Sequence, residues 1–270
     1  MAENILQKII NNRINEIEKQ KTLLSSEKLQ DQINQNEIED MWGIKYYDFK
    51  KKISDNIKNG KISIIGEIKK ASPSAGVIIE NYFPQDIAKI YKNKNITCLS
   101  VLTEQEYFLG DMMDISFCKQ KCDLPILCKD FFVDKYQVLY ARSKGADAIL
   151  IILAGVSESL ADELYEEALK LNMSVIVEVH TVQEAKKALN FKEALIGINN
   201  RNLKTLKTDT NTTYDIYNVL TNHQGPLISE SGIKTKDELL EISNKTSIKT
   251  FLIGESLLKN LDKNSIFSVL

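Results

Sequence analysis

The sequence predicts an α/β fold, a (β/α)8 TIM barrel with an N-terminal helical extension. From Ile62 onward, short β-branched runs alternate with longer helical patterns, and successive runs begin roughly 20 to 35 residues apart, the length of one βα unit. Such runs begin near Ile62, Thr97, Pro125, Asp147, Ser174, Ala194, Pro226 and Lys249. Eight units in sequence favour a closed barrel over an open doubly wound sheet, and no G-x-G-x-x-G follows the first run.

Charged and amide side chains stand at or just after the ends of these runs. A parallel strand that is buried on both faces has no structural use for such ends. A barrel whose strands point their carboxyl ends at one small anionic ligand does have a use for them. The pattern therefore predicts an enzyme as well as a fold. The residues concerned are Glu67, Lys69, Lys129, Glu178, Asn199 and Arg201.

The first 60 residues differ from the rest and predict an extension packed on the barrel. Isoleucines recur at helical spacing between Ile5 and Ile17, which predicts an amphipathic helix. A polar stretch follows over Ser25 to Asp40, and Tyr46 to Asn59 predicts a second helix that Gly60 ends. We expect a helical extension over residues 1–60 and a catalytic barrel over residues 61–270, within one structural domain. The extension can either cap the barrel or help to cover an active site.

Composition excludes several classes of protein. Hydrophobic residues make up 43% of the 270 residues, enough for a large core. The 35 basic and 37 acidic residues give a net charge of −2, which argues against holding nucleic acid or membrane by bulk charge. The N-terminus lacks a signal-peptide apolar region, and no apolar run approaches the ~20 residues of a membrane span. We therefore expect a cytoplasmic protein.

The cysteines and histidines predict no metal site. The four cysteines form no C-x-x-C pair, and His180 and His223 are the only histidines. Reduced, mostly buried thiols are the simplest interpretation of such cysteines.

Two strand ends carry candidate proton-transfer groups. Lys129 follows an apolar run, where partial desolvation is expected to lower its pKa and suit it to general acid catalysis. Glu178 stands between two valines, and an apolar setting is expected to raise its pKa. The two residues lie two strands apart around the predicted barrel, so they can face each other across its mouth. His180 is more simply interpreted as a satisfied structural histidine.

Four further residues are candidates for binding a substrate. Glu67 and Lys69 alternate with period two and point into the predicted mouth, where they can hold an anionic substrate or form an interior salt bridge. Asn199 can hydrogen-bond a sugar-like hydroxyl, and Arg201 can hold a carboxylate in a fork. Either of these two can instead only stabilise a turn, so both alternatives stay open.

The last two strands predict a phosphate site. Strand seven leads into Ser231-Gly232, and strand eight leads into Gly254-Glu255. Glycines let backbone amides approach an anion closely, and a following helix N-terminus adds positive potential. The loops after the last two strands are the usual phosphate site of such barrels. Glu255 does not contradict this prediction, because the amides rather than its side chain would bind the phosphate.

These segments together resemble indole-3-glycerol-phosphate synthase of tryptophan biosynthesis, and the resemblance covers the chain from about residue 5 to the C-terminus. Other phosphate-binding barrels share the final glycine loops but not EIKKASPS, CKDF and INNRNL, so the combination is highly specific. The matching segments are GEIKKASPS (66–74), LTEQEYFLG (102–110), CKDFFVDKYQ (128–137), VEVH (177–180), IGINNRNLKTLKTD (196–209), ISESGI (228–233) and LIGESL (252–257).

The resemblance implies an activity that needs no metal or organic cofactor. The family closes an indole ring from 1-(2-carboxyphenylamino)-1-deoxyribulose 5-phosphate and releases carbon dioxide and water. Lys129 matches the general acid for ring closure, and Glu178 matches the general base for dehydration. Lys69 matches a lysine that meets the substrate carboxylate and can also serve as an acid.

The remaining site residues are implied by the same resemblance. Glu67 and Asn199 match residues that orient the substrate, and Arg201 matches the arginine near the anthranilate carboxylate. Ser72 matches a further pocket residue. The phosphate-loop positions are Ser231, Gly232, Gly254 and Glu255.

The chain departs from the family pattern at two positions. Ala75 stands where a lysine is frequent, and Cys128 stands where a larger residue is usual. Neither position carries the chemistry, so we expect effects on loop behaviour or affinity.

Two other functions fit part of this pattern. A related phosphosugar barrel, phosphoribosylanthranilate isomerase, is disfavoured because strand one ends in Glu67 and Lys69 rather than in a catalytic cysteine. A non-catalytic phosphate-binding scaffold is disfavoured because Lys69, Lys129 and Glu178 are all present. The expected partner is a small phosphorylated substrate, with no nucleic acid or membrane, and the expected state is a monomer or weak homo-oligomer.

Overall fold

Eight parallel strands close into a barrel in this computed structural model, which describes residues 5–39, 43–261 and 263–270. In chain order, the strands of the barrel and of a separate two-stranded hairpin are β1 (Ser63–Ile68), β2 (Ala71–Ser72), β3 (Gly76–Val77), β4 (Cys98–Leu102), β5 (Ile126–Lys129), β6 (Ala148–Ile152), β7 (Ser174–Val179), β8 (Leu195–Asn199), β9 (Leu227–Glu230) and β10 (Thr250–Ile253). The barrel order is β1-β10-β9-β8-β7-β6-β5-β4, and β2 and β3 form a separate hairpin. The predicted TIM barrel is confirmed.

Helices flank the barrel and precede it. They are α1 (Ile5–Leu23), α2 (Ser26–Glu39), α3 (Phe49–Lys58), α4 (Pro84–Asn93), α5 (Met113–Lys119), α6 (Lys135–Ser143), α7 (Glu158–Lys170), α8 (Val182–Ala188), α9 (Asn211–Leu220), α10 (Lys236–Lys245) and α11 (Glu255–Leu258). Within the described residues, no helix combines the length and the apolarity that crossing a membrane would require.

Strand β1 closes the barrel because it pairs in parallel with strands on both of its sides. Ser63 lies opposite Thr250 of β10, and Ile65 lies opposite Cys98 of β4. Every predicted strand start lies within one residue of the observed start. This agreement follows because short β-branched runs alternate regularly with helical patterns along the sequence.

Two apolar layers result from the alternation along the strands. One set of side chains fills the barrel interior, including Ile65, Leu127 and Ile176, and the other set packs between strands and helices. Phe49 and Ile53 of α3 are fully buried against the interior set. Phe49 and Ile53 are four residues apart and so lie on one face of α3. With this face the helix plugs the barrel.

The sequence assigns no element of its own to the polar stretch of residues 25–40, and the structure places α2 over Ser26–Glu39. Leu29 and Ile33 are buried one helical turn apart, and Leu29 contacts Tyr136 of α6 in a small apolar cluster. Such a narrow stripe is enough to dock a helix when a partner helix is present. Asp40, the last residue of that predicted stretch, lies outside the described residues.

The second predicted helix is α3, which begins at Phe49 rather than near Tyr46. Asp48 caps it by accepting a hydrogen bond of 2.8 Å from the backbone N–H of Lys51. Gly60, with a φ of +69°, follows the helix and allows the left-handed turn into β1.

A buried charged cluster ties the segment before α3 to the barrel. Lys119 forms an ion pair with Asp147, and both side chains are fully buried. The backbone N–H of Tyr47 donates to Asp147 Oδ1 at 2.7 Å. Asp147 directly precedes β6, so the cluster lies at the amino ends of the strands, where polar residues contribute to stability rather than to catalysis.

Candidate active site

Eight of the eleven predicted site residues meet in one cavity at the carboxyl ends of the strands. Its lining includes Glu67, Lys69, Ser72, Lys129, Glu178, Asn199, Arg201 and Ser231.

Lys129 lies among carboxylates at the centre of this cavity. Its Nζ is 2.7 Å from Glu230 Oε2 and 3.4 Å from Glu178 Oε2. Burial alone would lower the pKa of Lys129, but Glu230, Glu178 and Glu67 outweigh burial and raise it. The expected lowering of this pKa is therefore wrong, because three neighbouring carboxylates stabilise the ammonium. Lys129 is protonated in the free protein.

Glu178 also differs from its expected ionisation. Burial alone would raise the pKa of its carboxyl group, but Lys129 and His180 more than offset burial and lower it. The sequence prediction considered the flanking valines and not the cations that the fold brings to the carboxylate. Glu178 is consequently ionised near neutral pH, which is the state a general base requires.

Glu230 is a site residue that the sequence interpretation missed. It is the last residue of β9, is fully buried and lies opposite Asn199 in the register with β8. Burial raises the pKa of Glu230 to about 7, while Lys129 acts against this shift and Glu178 adds to it. The strand-end rule that identified Glu178 applies equally to Glu230, but the adjoining glycine loop was interpreted only as a phosphate site.

Glu67 and Lys69 form an ion pair in which both side chains are largely buried. Burial would raise the pKa of Glu67, but Lys69 and Lys129 outweigh it and lower that pKa. The pair lines the cavity rather than lying behind it. This arrangement is therefore compatible with both alternatives for the pair, an interior salt bridge and a contact with the substrate.

Asn199 and Arg201 organise the loop after β8 and also face the cavity. The backbone N–H of Arg201 donates to Asn199 Oδ1 at 3.0 Å, and Arg201 Nη1 donates to the carbonyl oxygen of Leu206 at 2.8 Å. The turn-stabilising alternative therefore describes part of their contacts. Both side chains nevertheless line the cavity, with guanidinium donors left for an anionic ligand.

A second cavity adjoins the first and contains the predicted phosphate loops. Ser231 and Gly232 have φ of +66° and +83°, a left-handed pair that turns the chain sharply after β9. Gly254 precedes α11, and Glu255 is paired with Lys259 at 2.6 Å. The lining also includes Lys69, Arg201, Thr208, Lys234 and Ser256. Cationic side chains thus surround two glycine loops, as expected for an anion site.

The first cavity also has an apolar side. The rings of Phe108 and Phe131 lie 6.1 Å apart between centroids, and Leu203 and Leu206 add aliphatic surface. Phe131 and Phe108 belong to motifs that were recognised in the sequence but were given no role there. Ser72 also lines the cavity, and its Oγ accepts a hydrogen bond of 3.3 Å from the backbone N–H of Ala75.

Helix α1 covers part of the apolar side. Ile5, Leu6 and Ile9 line the cavity from this helix. Arg13 anchors the helix, because its Nη2 lies 2.8 Å from Oδ2 of the fully buried Asp130, the residue after Lys129. The segment before the barrel therefore has both of the functions considered for it: α3 plugs the barrel, and α1 covers the cavity.

Metal ligands are not grouped in this region. Within residues 5–39, 43–261 and 263–270, no set of three or more histidine, cysteine or carboxylate residues is arranged to hold a metal ion.

Comparisons with known proteins identify the family and the fold. An indole-3-glycerol phosphate synthase of Burkholderia multivorans is 42% identical over 200 residues, covering 74% of this chain and 76% of the relative. One from Bordetella pertussis is 40% identical over 214 residues, covering 79% and 81% of the two chains. The tryptophan synthase alpha chain of Legionella pneumophila superposes with a TM-score of 0.59 at 12% identity, covering 83% and 94% of the two chains, which supports the fold alone.

The family profile covers nearly the whole chain. It is the profile of indole-3-glycerol phosphate synthase, and it matches residues 6–269, which include all of α1 but its first residue and every barrel strand. The chain belongs to the indole-3-glycerol phosphate synthase family.

Proposed function

We propose that the two joined cavities bind 1-(2-carboxyphenylamino)-1-deoxy-D-ribulose 5-phosphate and that Lys129, Glu178 and Lys69 convert it to indole-3-glycerol phosphate. Family membership makes the chain a decarboxylating carbon–carbon lyase of tryptophan biosynthesis that acts on a phosphorylated small molecule. The observation that carries the residue assignment is the position of Lys129 Nζ, 2.7 Å from Glu230 Oε2 and 3.4 Å from Glu178 Oε2.

The chemistry of the cavities matches the three parts of this substrate. The aromatic ring fits the apolar side, where Phe108 and Phe131 lie. The anthranilate carboxylate fits Arg201 and Lys69, which are cations that line the same cavity. The phosphate fits the second cavity, whose loops contain Ser231, Gly232, Gly254 and Glu255. Because Arg201 and Lys69 line both cavities, they stand between the two anionic ends of the substrate.

Lys129 acts first in the proposed sequence. As the aromatic carbon that bears the carboxylate attacks the ketone carbon, a carbon–carbon bond forms and the ketone oxygen gains negative charge. The ammonium of Lys129 transfers a proton to that oxygen, which gives a hydroxyl group. The ring carbon then loses carbon dioxide, and the electron pair of the broken bond restores aromaticity.

Glu178 acts in the dehydration that follows. Its ionised carboxylate removes a proton from the new five-membered ring, and the hydroxyl group leaves with a proton as water. Lys69, paired with Glu67, is placed to hold the substrate carboxylate and to donate a proton to the leaving oxygen. Glu67 and Asn199 orient the sugar hydroxyls, and Ser72 adds a hydroxyl group to the cavity wall.

The proposal extends to the cellular setting of the reaction. We propose a cytoplasmic enzyme, a monomer or weak homo-oligomer, that uses neither a metal nor an organic cofactor. Its net charge of −2 supports binding by local anion sites rather than by bulk charge.

The test is the appearance of indole fluorescence when the purified protein meets the proposed substrate. We expect turnover by the wild type and a loss of at least ~10³-fold in kcat for Lys129→Ala. Lys135→Ala is the matched control, because that side chain is half exposed and pairs with the half-exposed Glu163 at 3.5 Å. A folded wild type that binds inorganic phosphate but gives no indole product would instead favour a non-catalytic phosphate-binding barrel.

A further inference from the structure

The two oxygen atoms of Glu178 face different cations. Oε2 lies 3.4 Å from Lys129 Nζ, on the side of the cavity. Oε1 lies 3.3 Å from Nε2 of His180, which is two residues further along the chain. Neither ring nitrogen of His180 makes a hydrogen bond within the described residues, so the contact between Glu178 and His180 is an ionic one. One carboxylate thus joins the cavity to a buried imidazole.

Glu184 holds the imidazole from the other side. Its Oε2 lies 3.6 Å from Nδ1 of His180 and accepts a hydrogen bond of 2.7 Å from the backbone N–H of the same residue. Thr181 caps α8 by accepting from the N–H of Glu184 at 3.2 Å, which fixes the first turn of the helix. The side chain of His180 is only 8% exposed. The ring is therefore enclosed between two carboxylates on a rigid strand-to-helix turn.

The charges around His180 favour its cationic form. Burial alone would lower the pKa of His180, but Glu184, Glu178 and the more distant Glu230 of β9 outweigh burial and raise it. Lys129 from β5 and the side chain of Asn199 on β8 in turn favour the ionised form of Glu178 and lower its pKa.

We propose that His180, held by Glu184, is a positioning residue whose positive charge fixes Oε1 of Glu178 and leaves Oε2 to act on the substrate. The inference rests on the proposed function, because it assumes that Glu178 is the general base. It assigns a function to a histidine that the sequence alone suggested to be structural. A merely structural imidazole would fill space beside Glu178 without changing how that carboxylate titrates.

The chain allows a direct test because it contains just two histidines. The ring resonances of both can be followed by NMR from pH 5 to 9, and His180→Gln assigns them. His223 is an internal reference: its ring contacts the carbonyl oxygen of Ala194 at 2.9 Å, and burial lowers its pKa. We expect His180 to titrate above its ordinary value, and to titrate lower in Glu184→Gln and in Glu178→Gln, while His223 is unchanged.

The pH profile of kcat/KM supplies the catalytic readout. Removing the imidazolium raises the pKa of Glu178, so the acid limb should move to higher pH by about one unit in His180→Gln. Glu184→Gln should move it in the same direction by less, and it covers the case in which His180→Gln fails to fold. Lys186→Gln is the matched control, because it also removes one positive charge but lies on the exposed face of α8.

The outcomes separate this inference from the proposed function. An acid limb that stays in place in both variants, or a His180 resonance unaffected by Glu178→Gln, would overturn the positioning role. Full activity of Glu178→Gln would instead overturn the assignment of the general base, whatever the NMR titration gives.

Discussion

Lys129 and Glu230 meet across the whole mouth of the barrel. Their strands, β5 and β9, are four places apart in the closed order of eight, so they lie on opposite sides. The two side chains nevertheless approach to 2.7 Å between Nζ and Oε2. The contact closes the centre of the cavity and places the charge of the proposed acid against a carboxylate whose burial raises its pKa to about 7.

This relationship predicts a pH dependence of stability. Folding raises the pKa of Glu230 from 4.5 to about 7, so the folded state binds this proton more tightly than the unfolded state does. The resulting stabilisation is complete below about pH 4.5 and is lost as the pH rises through about 7. We expect the difference in unfolding free energy between the wild type and Glu230→Gln to fall by roughly 2–3 kcal/mol from pH 5 to pH 8. Urea unfolding at intervals across this range measures it.

An exposed glutamate provides the control for this prediction. Glu193 pairs with Lys50 at the surface, and this pairing lowers its pKa, so Glu193→Gln should give a constant difference over the same range. Parallel stability curves for the wild type and Glu230→Gln would contradict the raised pKa of Glu230.

Gly197 provides a second prediction, because a side chain at this position would displace the carboxylate of Glu230. A Cβ at Gly197 in β8 would lie against Glu230 Oε1 and 3.1 Å from Ile176 Cγ2. We expect Gly197→Ala to lower kcat by about 10²-fold, since a small displacement of catalytic groups is costly. Steady-state kinetics of Gly197→Ala, Glu230→Ala and the double variant measure the effect. If Glu230 mediates the loss, the double variant should be little worse than Glu230→Ala, whereas additive losses would exclude this route.

Sequence periodicity was sufficient for the barrel because each βα unit repeats the same local pattern. The start of every barrel strand could be located, and Lys129 and Glu178 were recognised at the ends of two of these strands. Helix α2 was missed because its apolar stripe is narrow and its stability comes from packing on α6. The pKa directions of Lys129 and Glu178 were wrong for a related reason. They depend on contacts of Lys129 with Glu230 and Glu178, and these three side chains come from different strands whose separations only the closed barrel determines.

The phosphate loop gives a third prediction. Gly232 has a φ of +83°, and a Cβ there would lie 3.2 Å from Thr208 Cβ. Gly232→Ala should distort the loop by an energy of about 1–2 kcal/mol and raise KM about tenfold, with a smaller change in kcat. Gly60→Ala is the matched control, because Gly60 has a φ of +69° but open space around it before β1. Equal effects of both changes on KM would show that backbone strain alone, and not the phosphate loop, is responsible.

The anchor of α1 gives the fourth prediction. Arg13 and Asp130 form an ion pair in which the side chains are 6% and 0% exposed, and Thr103 Oγ1 also donates to Asp130 at 2.5 Å. Replacing Arg13 by Met leaves a buried carboxylate without its cation, which costs about 3–5 kcal/mol. We expect loosening of α1, faster tryptic cleavage within residues 5–23, and a higher KM because Leu6 and Ile9 no longer cover the cavity.

A substitution of Lys21 tests whether the burial of the Arg13–Asp130 ion pair causes these effects. Lys21 lies on the same helix and pairs with Asp134 at 2.6 Å, but the side chains of Lys21 and Asp134 are both 34% exposed. Exposed pairs contribute about 0–1 kcal/mol, so Lys21→Met should leave KM and the cleavage rate nearly unchanged. Adding Asp130→Asn to Arg13→Met removes the uncompensated charge and should recover part of the stability. If Arg13→Met and Lys21→Met behaved alike, α1 would be held mainly by its apolar face, and the coupling between this helix and the strand of Lys129 would be absent.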